Sequence, residues 1–171
     1  MKSLAEQMGV YQLYHEKTLT KVTHLIGVPL LIFAFFIPLN WINIGINGVF
    51  QIDLGWLSVA ALSIYYIKLD RKIGFSTAIV LVALAWISSL FSQYHPNLIG
   101  ATAFILSLIA GVGLQIIGHM IEGKKPALAD DLSQIFIAPI FLWTEVLFML
   151  GYFPELRAEV IALGRAETFY P

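Results

Sequence analysis

Long apolar runs separated by short polar turns dominate this chain. Residues 22–39 (VTHLIGVPLLIFAFFIPL), 54–69, 73–92 and about 98–121 each approach the ~20 residues that cross a hydrocarbon core. Pro29 and Pro38 fall within the first run, which membrane helices tolerate when neighbouring groups satisfy the freed carbonyls. A fifth apolar run, 132–153, carries Gln134, Pro139 and Glu145. It reads as a helix broken at Pro139, or a hairpin, lying against the bundle without crossing fully, because proline lacks an N–H and clashes with the preceding turn. Residues 3–16 have a different pattern. Leu4, Met8, Tyr11 and Tyr14/His15 recur at helical spacing, and Ser3 with Glu6 forms a capping box. That predicts an amphipathic helix too polar to span and suited to a membrane surface, with Gly9 weakening it. Residues 40–53 read as a turn-rich connection, and 154–168 as a short amphipathic helix opening on Pro154. The expected fold is therefore all-α. It is a polytopic membrane helical bundle of about four transmembrane helices, with an N-terminal amphipathic helix and a C-terminal broken helix or hairpin. All of 1–171 forms one membrane-embedded domain.

Composition agrees with this pattern. The chain is 58% hydrophobic and only 12% charged, about half the charge of a soluble domain. It has no cysteine, which excludes disulfides, thiolate metal sites and a cysteine nucleophile. A net charge of −1 without a basic patch argues against nucleic acid as a partner. The first apolar run begins after more than twenty residues and lacks a small-residue cleavage site, so no removable signal peptide is expected. Lysine and arginine set the orientation. They mark the N-terminal arm (Lys2, Lys17, Lys21), the 68–72 turn (Lys68, Arg71, Lys72), the 122–131 loop (Lys124, Lys125) and the C-terminal segment (Arg157, Arg165). The 40–53 and 93–97 connections have none. Four spans with both termini cytosolic fit that alternation.

The chemistry gathers at one place. At the end of the fourth run, in QIIGHMIEGKKPALADD, Gln115, His119 and Glu122 share one helical face, and Gly111 and Gly118 would let another helix approach closely. The lysine-derived topology puts His15, His24 and His119 on the cytosolic side and His95 on the other. His15 and His24 are nine residues apart and would point to opposite faces of a continuous helix. A break at Lys17–Thr20, with Thr20 capping the first span, would let them converge. Three neutral imidazoles suit Fe, Zn, Cu or Ni, and nearby carboxylates favour non-haem Fe(II). Asp130, Glu122 and Asp131 are available as ligands or as orienting partners. On the residues alone, this reading stands level with a plainer one in which these side chains anchor helices at the interface. Glu145, a carboxylate inside an apolar run, is functional by default or else locally paired.

Two stretches carry a resemblance. YQLYHEKTLTKVTHLIGVPLL and LQIIGHMIEGKKPALADDLSQIFIAPIF resemble the paired signatures of the Mpo1-like (DUF962) family, across nearly the whole chain. The first holds Tyr-x-x-Tyr-His, a second histidine nine residues on, then Gly-x-Pro. The second holds Gln-x-x-Gly-His, a glutamate, a basic pair, Pro-Ala-Leu, an aspartate and Ala-Pro. The resemblance implies an Fe2+-dependent dioxygenase that shortens a 2-hydroxy fatty acid by one carbon with O2, with the lipid bilayer as its setting. His15, His24 and His119 match the family's histidines as catalytic metal ligands, and Asp130, ahead of Glu122, is the acid matching its motif. Lys124 and Lys125 are then placed to attract the substrate carboxylate, with Gln115 and Tyr14 as further contacts. A bacterial inner membrane or the endoplasmic reticulum would house the enzyme, with the active site facing the cytosol. The competing readings are a transporter or non-catalytic membrane protein with a structural metal clip, and a zinc-dependent lipid hydrolase. Transporters place polar groups near mid-membrane, whereas here they cluster at one end.

Overall fold

The computed structural model describes residues 3–46, 50–125 and 134–169, without the side chains of 46, 50, 51 and 165–169. Their helices are α1 (Leu4–Leu13), α2 (Thr18–Leu39), α3 (Leu54–Leu69), α4 (Arg71–Ser92), α5 (Leu98–Glu122), α6 (Gln134–Met149) and α7 (Pro154–Phe169). The fold is all-α apart from one small antiparallel hairpin, β1 (Asn43–Ile46) with β2 (Phe50–Asp53), in which Asn43 pairs with Asp53 and Ile46 with Phe50. Read as a plain connection above, this stretch alternates apolar and polar residues about an Asn-Gly pair, a hairpin signal.

The chain forms two compact units. One comprises Met1–Leu25 with Ile116–Pro171, the other Ile26–Gln115. In the second unit α3 and α4 make a tight helical pair. Asp70 separates them and caps α4 by accepting from the amides of Lys72 and Ile73 at 2.9 and 2.8 Å. A Cβ on Gly74 would overlap the Tyr66 carbonyl, so the two backbones can approach this closely only at a glycine. Asn97 caps α5 by accepting from the Gly100 amide at 2.7 Å, and its own amide donates to Ser92 O at 2.7 Å. Gly27 and Gly111 face one another across α2 and α5, as the small-residue spacing predicts.

In the first unit α1 packs against α6 and α7. Ser3 and Glu6 form the expected capping box, and Met8 is 0% exposed. The apolar face that a membrane surface would take is thus covered by protein. Gly9 lies against Gly164, where a Cβ would come within 3.2 Å of the Gly164 nitrogen. The break expected at Pro139 falls later. α6 runs through Pro139 and ends at Leu150–Phe153. There the amides of Tyr152 and Gly151 return to Leu147 O and Phe148 O at 2.9 and 3.1 Å, with Gly151 at φ +84°. This is a Schellman termination, in which glycine adopts the left-handed conformation without a Cβ penalty. Proline removes one helical hydrogen bond, whereas this motif redirects the whole chain.

Among the described residues, α2, α4 and α5 are long and apolar enough to cross a membrane. α3 and α6, each 16 residues, reach roughly 24 Å and fall short of the ~30 Å hydrocarbon core. α5 shows an unpartnered apolar surface, with Leu106 and Ile109 62% and 65% exposed.

Candidate metal centre

His15 follows the end of α1, His24 is the seventh residue of α2, and His119 lies one turn before the end of α5. All three belong to the first compact unit. Their ring centroids are 4.5 Å apart for His15–His24, 5.3 Å for His15–His119 and 4.8 Å for His24–His119. Taking one nitrogen from each ring, the nitrogens all lie within 4.8 Å of one another.

The turn that permits this lies at Tyr14–Lys17, earlier than the expected 17–20 break. Thr20 is not the cap of α2. It sits within the helix, 0% exposed, and its hydroxyl donates to Gly118 O at 3.1 Å. The free amides ahead of α2 are instead taken by Glu122, whose two oxygens accept from Glu16 N at 3.0 Å and Lys17 N at 3.1 Å. A carboxylate on a helix N-terminus also meets the positive end of its dipole.

Local partners determine the histidine tautomers. His15 Nδ1 lies 2.9 Å from Tyr11 O, and His24 Nδ1 lies 2.9 Å from Thr20 O. A carbonyl can only accept, so both Nδ1 atoms carry the proton and both Nε2 atoms present lone pairs. Among the described residues, the buried His15 Nε2 has no hydrogen-bond partner. Burial is the largest influence on His15 and pushes its pKa down to about 3, against the opposing Tyr11 carbonyl. The ring is therefore neutral at pH 7, as a ligand must be. Tyr11 stacks on His15 at 4.2 Å and 5°, and Phe141 of α6 packs against Tyr11 at 4.3 Å.

These donors fit a metal ion. His24 Nε2 and His119 Nε2 are 3.2 Å apart, close to the ~3.3 Å edge of a tetrahedral site with ~2.0–2.1 Å metal–nitrogen bonds. The other separations, up to 4.8 Å, mean that an ion would draw the rings inward. The orphaned His15 Nε2 is the atom that a metal would satisfy. Three imidazoles without thiolate suit Fe, Zn, Cu or Ni.

The other residues singled out above scatter. Asp130 and Asp131 lie outside the described residues. Lys124 reaches the Leu13 carbonyl at 2.7 Å and the Glu16 carboxylate at 3.0 Å. Lys125 is exposed and Tyr14 half-buried at the end of α1. Gln115 belongs to the second unit, where its amide faces Gly27. Glu145 pairs with Lys21 at 2.9 Å, a partner 124 residues away. Tyr11 drew no functional reading, although its spacing of four from His15 is the signal for a side-chain pair on a helix. His95 stands apart in an exposed turn, its Nδ1 2.7 Å from Gln93 O. His95→Ala is therefore expected to leave metal content at the parental stoichiometry, as metal analysis of the purified variant would show.

Residues 1–150 match the model of a family described as 2-hydroxy-palmitic acid dioxygenase Mpo1-like. The chain belongs to the Mpo1-like family. It is 29% identical over 157 residues to the 2-hydroxy-palmitic acid dioxygenase MPO1 of Saccharomyces cerevisiae, covering 91% of this chain and 86% of that protein. No solved structure matches it. The family match contains all three clustered histidines and α6, and ends before α7.

Proposed function

We propose that this member of the Mpo1-like family is a membrane-embedded dioxygenase of 2-hydroxy fatty acids, with Fe2+ held by His15, His24 and His119. The observation that carries this reading is the convergence of three buried or half-buried imidazoles, one with an orphaned Nε2. The yeast relative's name supplies the reaction class. The overall balance is a 2-hydroxy acid plus O2 giving the acid one carbon shorter, carbon dioxide and water. When bound, Fe2+ supplies the one-electron chemistry that lets triplet O2 react with a closed-shell acid. The protein's own part is to hold neutral rings in fixed tautomers and to keep water from them. The Tyr11 carbonyl locks His15, the Thr20 carbonyl locks His24, and Tyr11 with Phe141 walls one side.

The apolar helices support a multi-pass arrangement in the bilayer. The lysines on the N-terminal arm and in the 122–131 loop support a cytosolic face for the histidine cluster. Single-cysteine labelling near residue 160 from either side tests the orientation; reaction only from the non-cytosolic side would reverse it.

The catalytic test is anaerobic reconstitution of purified protein with Fe(II), followed by O2 and 2-hydroxypalmitate. Pentadecanoic acid above a metal-free control is the expected product. Metal analysis of protein purified without added metal separates this reading from the others. Zinc would favour a hydrolase, and absence of metal a scaffold.

A further inference from the structure

Glu122 is the last residue of α5 and lies one turn beyond His119. It is 7% exposed, and both of its carboxylate oxygens are already engaged. We propose that Glu122 is a positioning residue and not a metal ligand. It is a clamp that ties the His15–Lys17 turn to the end of α5 and so sets the spacing of the three imidazoles. This rests on the metal-centre reading above.

The argument starts from helix ends. The first amides of α2 and the last carbonyls of α5 have no partners within their own helices. Here groups at and beside the two ends bind each other. Glu122 accepts from Glu16 N and Lys17 N, while Lys17 Nζ donates to Ile121 O at 2.6 Å and Thr20 Oγ1 to Gly118 O at 3.1 Å. Charge agrees with dipole at both ends, an anion at the start of α2 and a cation at the finish of α5. Lys124 adds a further tie, from just past α5 to Leu13 O in α1. Each histidine is close in sequence to one of these ties. His15 precedes Glu16 directly, His24 is two turns into α2, and His119 is three residues before Glu122. A carboxylate suits the turn as built. In this turn each of the two adjacent N–H donors meets its own carboxylate oxygen, whereas an amide offers one oxygen and a donating NH2. Glu122→Gln, nearly the same shape, therefore keeps one bond and sets a donor against the other amide.

The test uses the full chain in detergent, with Co(II) alone as the probe. Glu122→Gln is expected to weaken Co(II) affinity by about 10–100-fold, the usual effect of losing a residue that orients metal ligands. At saturating Co(II) its visible spectrum should match the parent's, because the ligands are the same. Parental affinity, or a spectrum altered at saturation, would overturn the proposal; the latter would make Glu122 a ligand. Hydrogen exchange of a peptide spanning 14–19 in metal-free protein gives a second reading. The Glu16 and Lys17 amides should exchange at least about tenfold faster in Glu122→Gln, as two-point capping is lost. If the parent takes up no Co(II), the metal reading fails on its own. Unchanged exchange in the variant would then be what sinks the clamp.

Discussion

His24→Ala is expected to lower metal affinity by more than about 100-fold and to abolish turnover. Loss of a residue that merely orients a ligand already costs about 10–100-fold, and the proposed site makes His24 a ligand itself. It is 1% exposed, its Nδ1 is held by Thr20 O at 2.9 Å, and its Nε2 faces His119 Nε2 at 3.2 Å. The ring is thus oriented before a metal arrives. The fold should survive, since α2 crosses to the second unit through apolar residues that the substitution leaves alone. Metal content by mass spectrometry, beside circular dichroism and gel filtration, checks both halves. A folded variant that retains parental metal would remove His24 from the site.

Two glycines five residues apart in α5 should respond in opposite directions. A Cβ on Gly118 would overlap Thr23 Oγ1 and come within 2.8 Å of His24 Cε1 and Nδ1, whereas one on Gly113 meets nothing within 4 Å. Helix propensity alone favours alanine over glycine by about 1 kcal/mol at either position. Overpacking against a buried ring costs about 1–3 kcal/mol. Gly113→Ala should therefore be neutral or mildly stabilising, and Gly118→Ala net destabilising by up to about 2 kcal/mol once the two terms are combined. Gly118→Ala should also weaken metal binding, because the displaced His24 ring loses its Thr20 carbonyl. Melting curves in detergent and a metal titration read the two effects. Equal behaviour of the pair would mean that Gly118 does not set the α2–α5 spacing.

The Tyr14–Lys17 turn shows where local reading stopped. Lys17 to Thr20 offered a break and a threonine, and the nearest-neighbour rule made Thr20 the cap. The structure uses a glutamate 105 residues away from Lys17. Nothing local distinguishes the two, because an orphan amide donates to any acceptor that arrives. Pro139 is similar. It removes one hydrogen bond, but the chain turns where Gly151 permits a left-handed residue and two carbonyls can be recapped. Glu145 drew attention as a buried-run carboxylate, and only folding brings Lys21 to it.

The sequence by itself determined the all-α character, the apolar runs, the capping box at Ser3, the helix opening at Pro154 and the three histidines worth watching. Each follows from periodicity, composition or charge bias, which act over a few residues or along the whole chain. The tertiary structure alone decided that these imidazoles face one another and that Glu122 binds backbone amides. Those outcomes depend on contacts across ninety or more residues, where hydrogen-bond direction and steric fit at helix ends select one arrangement among many that the same local pattern allows.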